Sequence, residues 1–330
     1  MIYENAKLSD QVFTDGIGKA PTRDGFGKGS VEAGKKDDRV VVLSADLAES
    51  TRAEWFKKEF PERFIEVGVA EQNMATVAAG LANYGKIPFI TSYAAFSPGR
   101  NYEQIRTTTA LNDVPVKVCG MHAGISVGPD GATHQMLEDI ALMRAMPNMT
   151  VIVPADAEEG RKATYAAAFT GKPAYLRFAR DKTAVFTTPD TPFEIGKAYY
   201  LWKGEKPKVA IIGCGHLLYD ALLAAKTLQE AGIPVSVINS HTIKPLDTGT
   251  ILAAAKEAGA IVTVEEHQAA GGLGSAIAEF LSETHPVLMR FIAIKDRFGQ
   301  SGEPSELMKE YGLTAEDIAQ AVRDLANHEA

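Results

Sequence analysis

Two histidines and an aspartate share one short glycine-rich stretch, HAGISVGPDGATHQ, at residues 122–135. Glycine tolerates a positive φ and proline has no backbone N–H, so the three glycines and one proline of this stretch predict a loop. The imidazoles of His122 and His134 could donate and accept protons near pH 7, and the carboxylate of Asp130 could accept from a hydroxyl group. The loop is therefore a candidate for part of an active site.

The same three residues support two other interpretations. Imidazole and carboxylate are also ligands for zinc or iron. A pair of hydrogen-bonded loop histidines with a turn-forming aspartate is the more frequent arrangement when residue types alone are considered. Spacing alone does not choose among a metal site, a structural loop and a substrate cradle.

Glu71 is a second candidate, because it opens a helix of mostly apolar residues directly after the strand FIEVG. A glutamate in the first turn of a helix is favoured by the helix dipole, so Glu71 could be only a capping charge. It also follows the carboxyl end of a strand, where open α/β sheets bind their ligands.

Two glycine-rich stretches resemble nucleotide-binding motifs but lack residues that those motifs require. The GCG of residues 213–215 follows a strand, but Leu218 stands where a dinucleotide fingerprint has its third glycine. The next strand ends in Asn239, not in an acidic residue. The GFGKGS of residues 25–30 does not have the P-loop spacing.

Composition excludes several classes of protein. The net charge is −8 and no lysine or arginine cluster is present, which argues against nucleic acid as a partner. No apolar run approaches the roughly 20 residues that cross a bilayer. The first residues do not read as a secretory leader, and the only cysteines, Cys119 and Cys214, lie far apart. We expect a cytoplasmic protein that does not act at a membrane.

The elements that must position these residues alternate along the chain. Short apolar strands separated by helical patterns predict α/β architecture with two doubly wound parallel sheets. A stretch rich in proline, threonine and charge separates them. We therefore expect one domain at residues 1–186, a linker at 187–207 and a second domain at 208–330. The predicted strands lie at 39–46, 87–93, 114–120, 149–156 and 173–180, then at 208–215, 234–243, 260–267 and 287–294.

Four stretches resemble the C-terminal half of a transketolase. They are SADLAES (44–50), EVGVAEQNM (66–74), the 122–135 loop and PNMTVIVPAD (147–156), in this order. The resemblance implies a thiamine diphosphate pyrimidine-binding domain followed by a transketolase C-terminal domain. It further implies transfer of a two-carbon ketol unit from a ketose phosphate to an aldose phosphate in carbohydrate metabolism, with the pentose phosphate pathway as one setting.

The resemblance also assigns roles to single residues. It places Glu71 as the acid–base group on the cofactor pyrimidine, Phe96 and Tyr93 beside that ring, and Asp46 in the cofactor site. It implies that His122 and His134 act on the substrate together with Asp130. It implies sugar-phosphate anchors at Arg23, Ser50 and Arg180.

One departure from the family is large. The complete family pattern has a GDG followed by an asparagine that hold Mg²⁺ and the diphosphate, and no GDG occurs in this chain. The resemblance thus implies a separate N-terminal transketolase subunit carrying these ligands, in a heterotetramer with two copies of each chain. A 1-deoxyxylulose-5-phosphate synthase-like subunit, a 2-oxo acid dehydrogenase beta-like subunit and a non-catalytic partner remain alternatives.

Overall fold

A computed structural model describes residues 1–328 and contains two main β-sheets covered by helices. The first sheet has seven strands in the order β12-β6-β7-β5-β4-β2-β3, and its strands are parallel except at the β12 edge. Its strands are β2 (Val40–Ser44), β3 (Phe64–Glu66), β4 (Ile87–Tyr93), β5 (Lys117–Met121), β6 (Thr150–Ile152), β7 (Ala174–Arg177) and β12 (Thr242–Lys244).

The second sheet has five strands in the order β14-β13-β10-β11-β9. They are β9 (Tyr199–Lys203), β10 (Val209–Gly213), β11 (Val235–Asn239), β13 (Ala260–Gln268) and β14 (Leu288–Ile294). Only the edge strand β9 is antiparallel. A short antiparallel pair, β1 (Lys19–Ala20) with β8 (Thr183–Ala184), lies apart from both sheets. The α/β class with two wound sheets is thus confirmed.

Helices cover both sheets. In the first part of the chain they are α1 (Thr22–Lys36), α2 (Ala53–Glu59), α3 (Glu71–Asn83), α4 (Tyr102–Gln104) with a π-helical continuation (Ile105–Ala110), α5 (Asp139–Ala145) and α6 (Ala157–Ala168). The later ones are α7 (Leu217–Glu230), α8 (Thr248–Ala258), α9 (Leu273–Thr284), α10 (Pro304–Glu310) and α11 (Ala315–His328). Short 3₁₀ turns occur at Glu4–Ala6, Pro61–Arg63 and Ile125–Asp130. Within residues 1–328, no helix combines the length and apolar character that a membrane span requires.

The strands of the first sheet are apolar at successive positions because both faces of the sheet are buried. Val41 and Leu43 of β2 pack into a core that also contains residues of the second sheet, such as Ile212. Val40 and Val42 face the opposite side and pack against α1, α2 and α6. Since successive side chains of a strand point to opposite faces, both sets must be apolar.

In two regions, 234–243 and the predicted linker 187–207, the strands of the structure differ from those predicted. The run at 234–243, predicted as one strand, breaks into β11 and β12, and β12 crosses to the edge of the first sheet. The predicted linker contains β9, and the start of the chain pairs with it through an Ile2–Trp202 bridge. Val12 and Phe13 pack in the same core as Trp202, so the first residues lie against the second sheet because their apolar side chains are buried there.

Glycines explain why GFGKGS is helical and not a phosphate loop. In α1, a Cβ on Gly25 would lie 2.3 Å from the carbonyl oxygen of Ala157, and one on Gly29 would lie 2.5 Å from that of Arg161. The glycines therefore permit α1 to pack closely against α6. This contact holds Arg23, in the first turn of α1, at one end of the first sheet.

Candidate active site

The carboxyl ends of the parallel strands in the first sheet converge on one edge, and the candidate residues follow these ends. Ser50 follows β2, Glu71 follows β3, Phe96 follows β4 and His122 follows β5. Arg180 follows β7 in the same way. The strand order thus brings residues that are distant in the sequence to one edge.

Glu71 is a buried carboxylate with side-chain partners from a neighbouring strand and the segment after it. It is 1% exposed at the start of α3. Its Oε1 accepts from the Ser92 hydroxyl at 3.2 Å, and its Oε2 accepts from the Arg100 guanidinium at 2.6 Å. Asn101 donates its side-chain amide to the Glu71 carbonyl at 3.0 Å. The carboxylate is therefore directed toward β4 and its following loop, and does more than balance a helix dipole.

Arg100 links Glu71 to an aromatic face. Its Cζ lies 4.6 Å from the centroid of the Phe96 ring. The Arg100 side chain remains 46% exposed, whereas that of Glu71 is 1% exposed. One nitrogen of a planar guanidinium therefore bonds to the buried carboxylate while the group lies over an aromatic ring. The sequence showed no periodicity or motif that would have pointed to Arg100.

Aromatic rings and imidazoles form one cluster beside this pair. Tyr93 stacks on Phe96 with 5.8 Å between ring centroids and on His122 with 4.0 Å. The His134 ring meets Phe96 edge-on at 5.4 Å. The structure thus brings together the proposed cofactor-stacking residues and both loop histidines.

His122 is held as a neutral imidazole. Its backbone has a φ of 51°, and its Nε2 lies 2.5 Å from Nη1 of Arg23, which must donate because a guanidinium has no acceptor. Burial, with the added repulsion of Arg23 and Arg180, lowers the pKa of His122 to about 3. The proton of the neutral ring then lies on Nδ1, which is buried and has no hydrogen-bond partner among the described residues. His122 therefore has a buried donor that is unpaired in this structure of residues 1–328.

Cationic side chains gather next to His122. Arg180 donates to the Val127 carbonyl at 2.7 Å and lies 3.6 Å from a carboxylate oxygen of Asp130. Burial lowers the pKa of Arg23, and the charges of Arg52 and Arg180 lower it further. The fold thus brings Arg23 and Arg180 near each other, although they lie far apart in the sequence.

Ser50 and Asp46 occupy different positions relative to this group. The Ser50 carbonyl accepts from Arg23 at 2.8 Å, which connects Ser50 to the arginines. Asp46 is exposed beyond the end of β2 with a φ of 61°, and its amide donates to Glu66 at 2.7 Å. Over the described residues, Asp46 has no hydrogen bond or ion pair with the other candidates.

The metal-site interpretation of the loop is not supported. In the described part of the chain, no three His, Cys, Asp or Glu side chains come together in a way that could hold a metal ion. Instead, His134 Nδ1 lies 2.9 Å from the Thr133 hydroxyl, while Asp130 faces Arg180 and His122 faces Arg23. The loop side chains are therefore arranged around arginines and aromatic rings.

The loop is held from the second sheet by residues that the sequence analysis did not identify. Glu266, near the end of β13, accepts from the Ser126 amide at 2.6 Å and from His216 at 2.7 Å. A Cβ on Gly124 would lie 2.2 Å from the Glu266 carboxylate, so the loop approaches this far only because residue 124 is glycine. Burial alone would raise the pKa of Glu266, but His216, Arg177 and the Ser126 amide together lower it.

Gln135 holds the other end of the loop. Its side-chain amide nitrogen lies 3.2 Å from the Ile125 carbonyl, 3.0 Å from that of Gly128 and 2.9 Å from that of Gln300. A signal for both residues was present in the sequence, since β13 is an apolar strand ending in EEHQ and Gln135 belongs to the loop motif. Charged residues that terminate a buried strand require partners.

Comparison with known proteins identifies two family regions. Residues 18–185 match the family described as "Transketolase, pyrimidine binding domain", and residues 196–318 match "Transketolase, C-terminal domain". The chain is 44% identical, over 92% of its length and 95% of the relative, to a protein of Methanocaldococcus jannaschii named "Putative transketolase C-terminal section". It is 40% identical, over 89% of its length and 91% of the relative, to the 6-deoxy-6-sulfo-D-fructose transketolase subunit of Clostridium sp. strain MSTE9.

Other relatives are longer. The chain is 38% identical to the transketolase of Homo sapiens over 93% of its own length, but it spans only 49% of that protein. Among solved structures, it resembles one described as "Split gene transketolase, inactive beta4 tetramer", with a TM-score of 0.86 and 43% identity over 93% of this chain and 98% of that chain. The chain thus corresponds to about half of a full-length animal relative.

Proposed function

The chain belongs to the transketolase family, and from this we propose that it is the C-terminal subunit of a thiamine diphosphate-dependent transketolase. It transfers a two-carbon ketol unit between sugars in a complex with a separate N-terminal subunit. The observation that carries this proposal is the environment of Glu71, a buried carboxylate that pairs with a guanidinium lying over the Phe96 ring. This is a site for a planar, hydrogen-bonding ring.

The cofactor site fits a pyrimidine at this end. The guanidinium of Arg100, which bonds to Glu71 through one nitrogen and lies over Phe96, supports a planar nitrogen-bearing group at this position. Thiamine diphosphate, when bound, supplies the carbon nucleophile of the reaction. Glu71 would hold a proton shared with a pyrimidine nitrogen, Phe96 and Tyr93 would orient the ring, and the apolar surroundings of α3 would exclude water.

The substrate end fits a sugar with an acidic terminus. We propose that His122, His134 and Asp130, which lie on the same loop, bond to sugar oxygens. Arg23 and Arg180 can bind a phosphate through paired N–H donors. A relative is named for a sulfosugar, and a sulfonate presents the same type of oxygen anion. We include Ser50 among these anchors and Asp46 at the cofactor site.

The Mg²⁺ and diphosphate ligands are proposed to lie on the partner. Among residues 1–328, no cluster of ligating side chains suits a metal ion, and the chain lacks a GDG. Mg²⁺ takes oxygen ligands together with substrate phosphates, so the diphosphate and the metal would be bound as one unit. A complex of two copies of each chain is the proposed assembly.

The test is a Glu71→Gln substitution in the reconstituted complex. Glutamine keeps the shape of the side chain but does not exchange a proton, so we expect assembly to be unchanged and kcat to fall by roughly 10²–10⁴. Exchange of the cofactor C2 proton, followed by NMR, reports directly on this step.

The matched control is Glu103→Gln, which changes an exposed glutamate on α4. It should leave both kcat and the exchange rate at their wild-type values. A wild-type exchange rate in Glu71→Gln would show that Glu71 has no acid–base role, and the proposed function would lose its main support.

A further inference from the structure

Arg100 has an unusual pair of contacts for a side chain that the proposed chemistry does not use. Its guanidinium bonds to a carboxylate that is 1% exposed and covers the face of Phe96, while the side chain itself is 46% exposed. An arginine with this exposure could extend into solvent. Its guanidinium instead lies between the two groups that would bind the cofactor ring.

The chemistry of a guanidinium resembles that of an aminopyrimidine in two respects. Both are planar, and both present nitrogen atoms on either side of a carbon, so both can bond to a carboxylate in the plane while stacking on an aromatic ring. A buried carboxylate without a counter-charge is strongly destabilising, and the Ser92 hydroxyl supplies none, so Glu71 needs a cation or a further donor whenever the ring is absent.

We propose that Arg100 is a place-holder: its guanidinium occupies the position of the cofactor pyrimidine on Glu71 and Phe96, and it must leave before the cofactor binds. This inference rests on the proposed function. Because the Arg100 side chain is partly exposed, it can turn out into solvent. Arg100 lies in the loop between β4 and α4, so a change of its rotamer disturbs no helix or strand.

The place-holder lowers the apparent affinity of the cofactor. Only the fraction of molecules in which Arg100 has moved away can bind the ring, and the apparent Kd rises in inverse proportion to that fraction. In return, the cofactor-free protein keeps its buried carboxylate paired. Removing the guanidinium should therefore shift two quantities in opposite senses: cofactor affinity rises and the stability of the cofactor-free chain falls.

The experiment compares Arg100→Ala with the wild type and with Arg106→Ala, an exposed arginine in the adjacent π-helical segment. Binding of thiamine diphosphate with Mg²⁺ to the reconstituted complex is measured by titration calorimetry. Thermal unfolding of the chain is measured without cofactor. For Arg100→Ala we expect Kd to fall by about 3- to 30-fold and Tm to fall, with Tm recovering when millimolar methylguanidinium is added. Arg106→Ala should leave both unchanged.

The outcomes separate the two proposals. If the wild-type complex binds thiamine diphosphate and Arg100→Ala binds it equally or more weakly, Arg100 is not a place-holder and the inference is overturned alone. If the wild-type complex does not bind thiamine diphosphate, the proposed function is overturned and this inference with it. A rise in affinity together with a Tm that methylguanidinium restores supports the inference.

Discussion

At the scale of single residues, two buried titratable side chains of the site, His122 and Glu71, differ in their charged neighbours. His122 is kept neutral with a pKa of about 3, because it is buried beside Arg23 and Arg180. Glu71 is equally buried but has Arg100 as its counter-charge. Under the proposed function, proton exchange would fall to Glu71 and substrate hydrogen bonding to His122, because their environments differ.

Arg180 provides a test of the proposed acidic substrate. Each charge-assisted contact with a phosphate is worth roughly 1.5–3 kcal/mol, so Arg180→Ala should raise KM for a phosphorylated sugar about tenfold or more. The phosphate is remote from the bond that breaks and contributes mainly uniform binding, so kcat should change less. Steady-state kinetics with phosphorylated and unphosphorylated acceptors is the measurement.

The contrast between the two acceptors decides the role of Arg180. The unphosphorylated acceptor should be almost unaffected, and Lys182→Ala, which removes an exposed neighbouring cation, should affect neither. Equal losses on both acceptors would show that Arg180 is structural or acts near the reacting atoms. The proposed phosphate anchor would then be withdrawn.

At the scale of elements, the 122–135 loop is positioned by the second sheet as well as the first. Its start follows β5, while Ser126 donates to Glu266 of β13 and Gln135 donates to the carbonyl of Gln300. His216, which precedes α7, holds Glu266 from the other side. We therefore propose that the C-terminal unit immobilises the loop that carries the histidines.

Glu266→Gln tests this task. A hydrogen bond to a charged acceptor is worth about 1–2 kcal/mol more than a neutral one, so opening of the loop should become roughly 5- to 30-fold more frequent. Hydrogen exchange at the Ser126 amide should accelerate by that factor, and KM should rise because His122 and His134 lose their fixed positions. The control is Glu279→Gln, which alters an exposed ion pair with Arg144 on α5. An unchanged Ser126 exchange rate would contradict the proposed clamp.

At the scale of the whole molecule, two sheets share one apolar core while the candidate site lies at an edge. The strand β12 crosses from the second half of the chain to the first sheet, and the first residues pack near Trp202 of β9. Folding of the two units is therefore coupled within this chain. The residues proposed to bind the pyrimidine all lie in this chain, whereas no cluster suited to a metal ion occurs among the described residues.

The chain by itself is expected to fold but not to turn over substrate. Its apolar core residues are buried within the chain itself, so circular dichroism should show a cooperative thermal transition. Thiamine diphosphate should bind only weakly to the isolated chain, because the diphosphate and Mg²⁺ lack their ligands. Addition of a subunit carrying the GDG pattern should restore both tight binding and turnover. Substantial turnover by the chain alone would contradict the proposed division of the site between two polypeptides.

The sequence alone determined the class of the fold, since continuous apolar strands alternating with helices require a sheet that is covered on both faces. The stretches around Glu71 and the 122–135 loop also indicated the family, because each is a contiguous motif that can be recognised without knowing which residues contact it. Only the tertiary structure decided that Arg100 contacts Glu71, that Arg23 contacts His122, and that Glu266 holds the loop. These contacts join different strand ends and both sheets, so they depend on strand order and on the crossing of β12, and local periodicity carries no information about either.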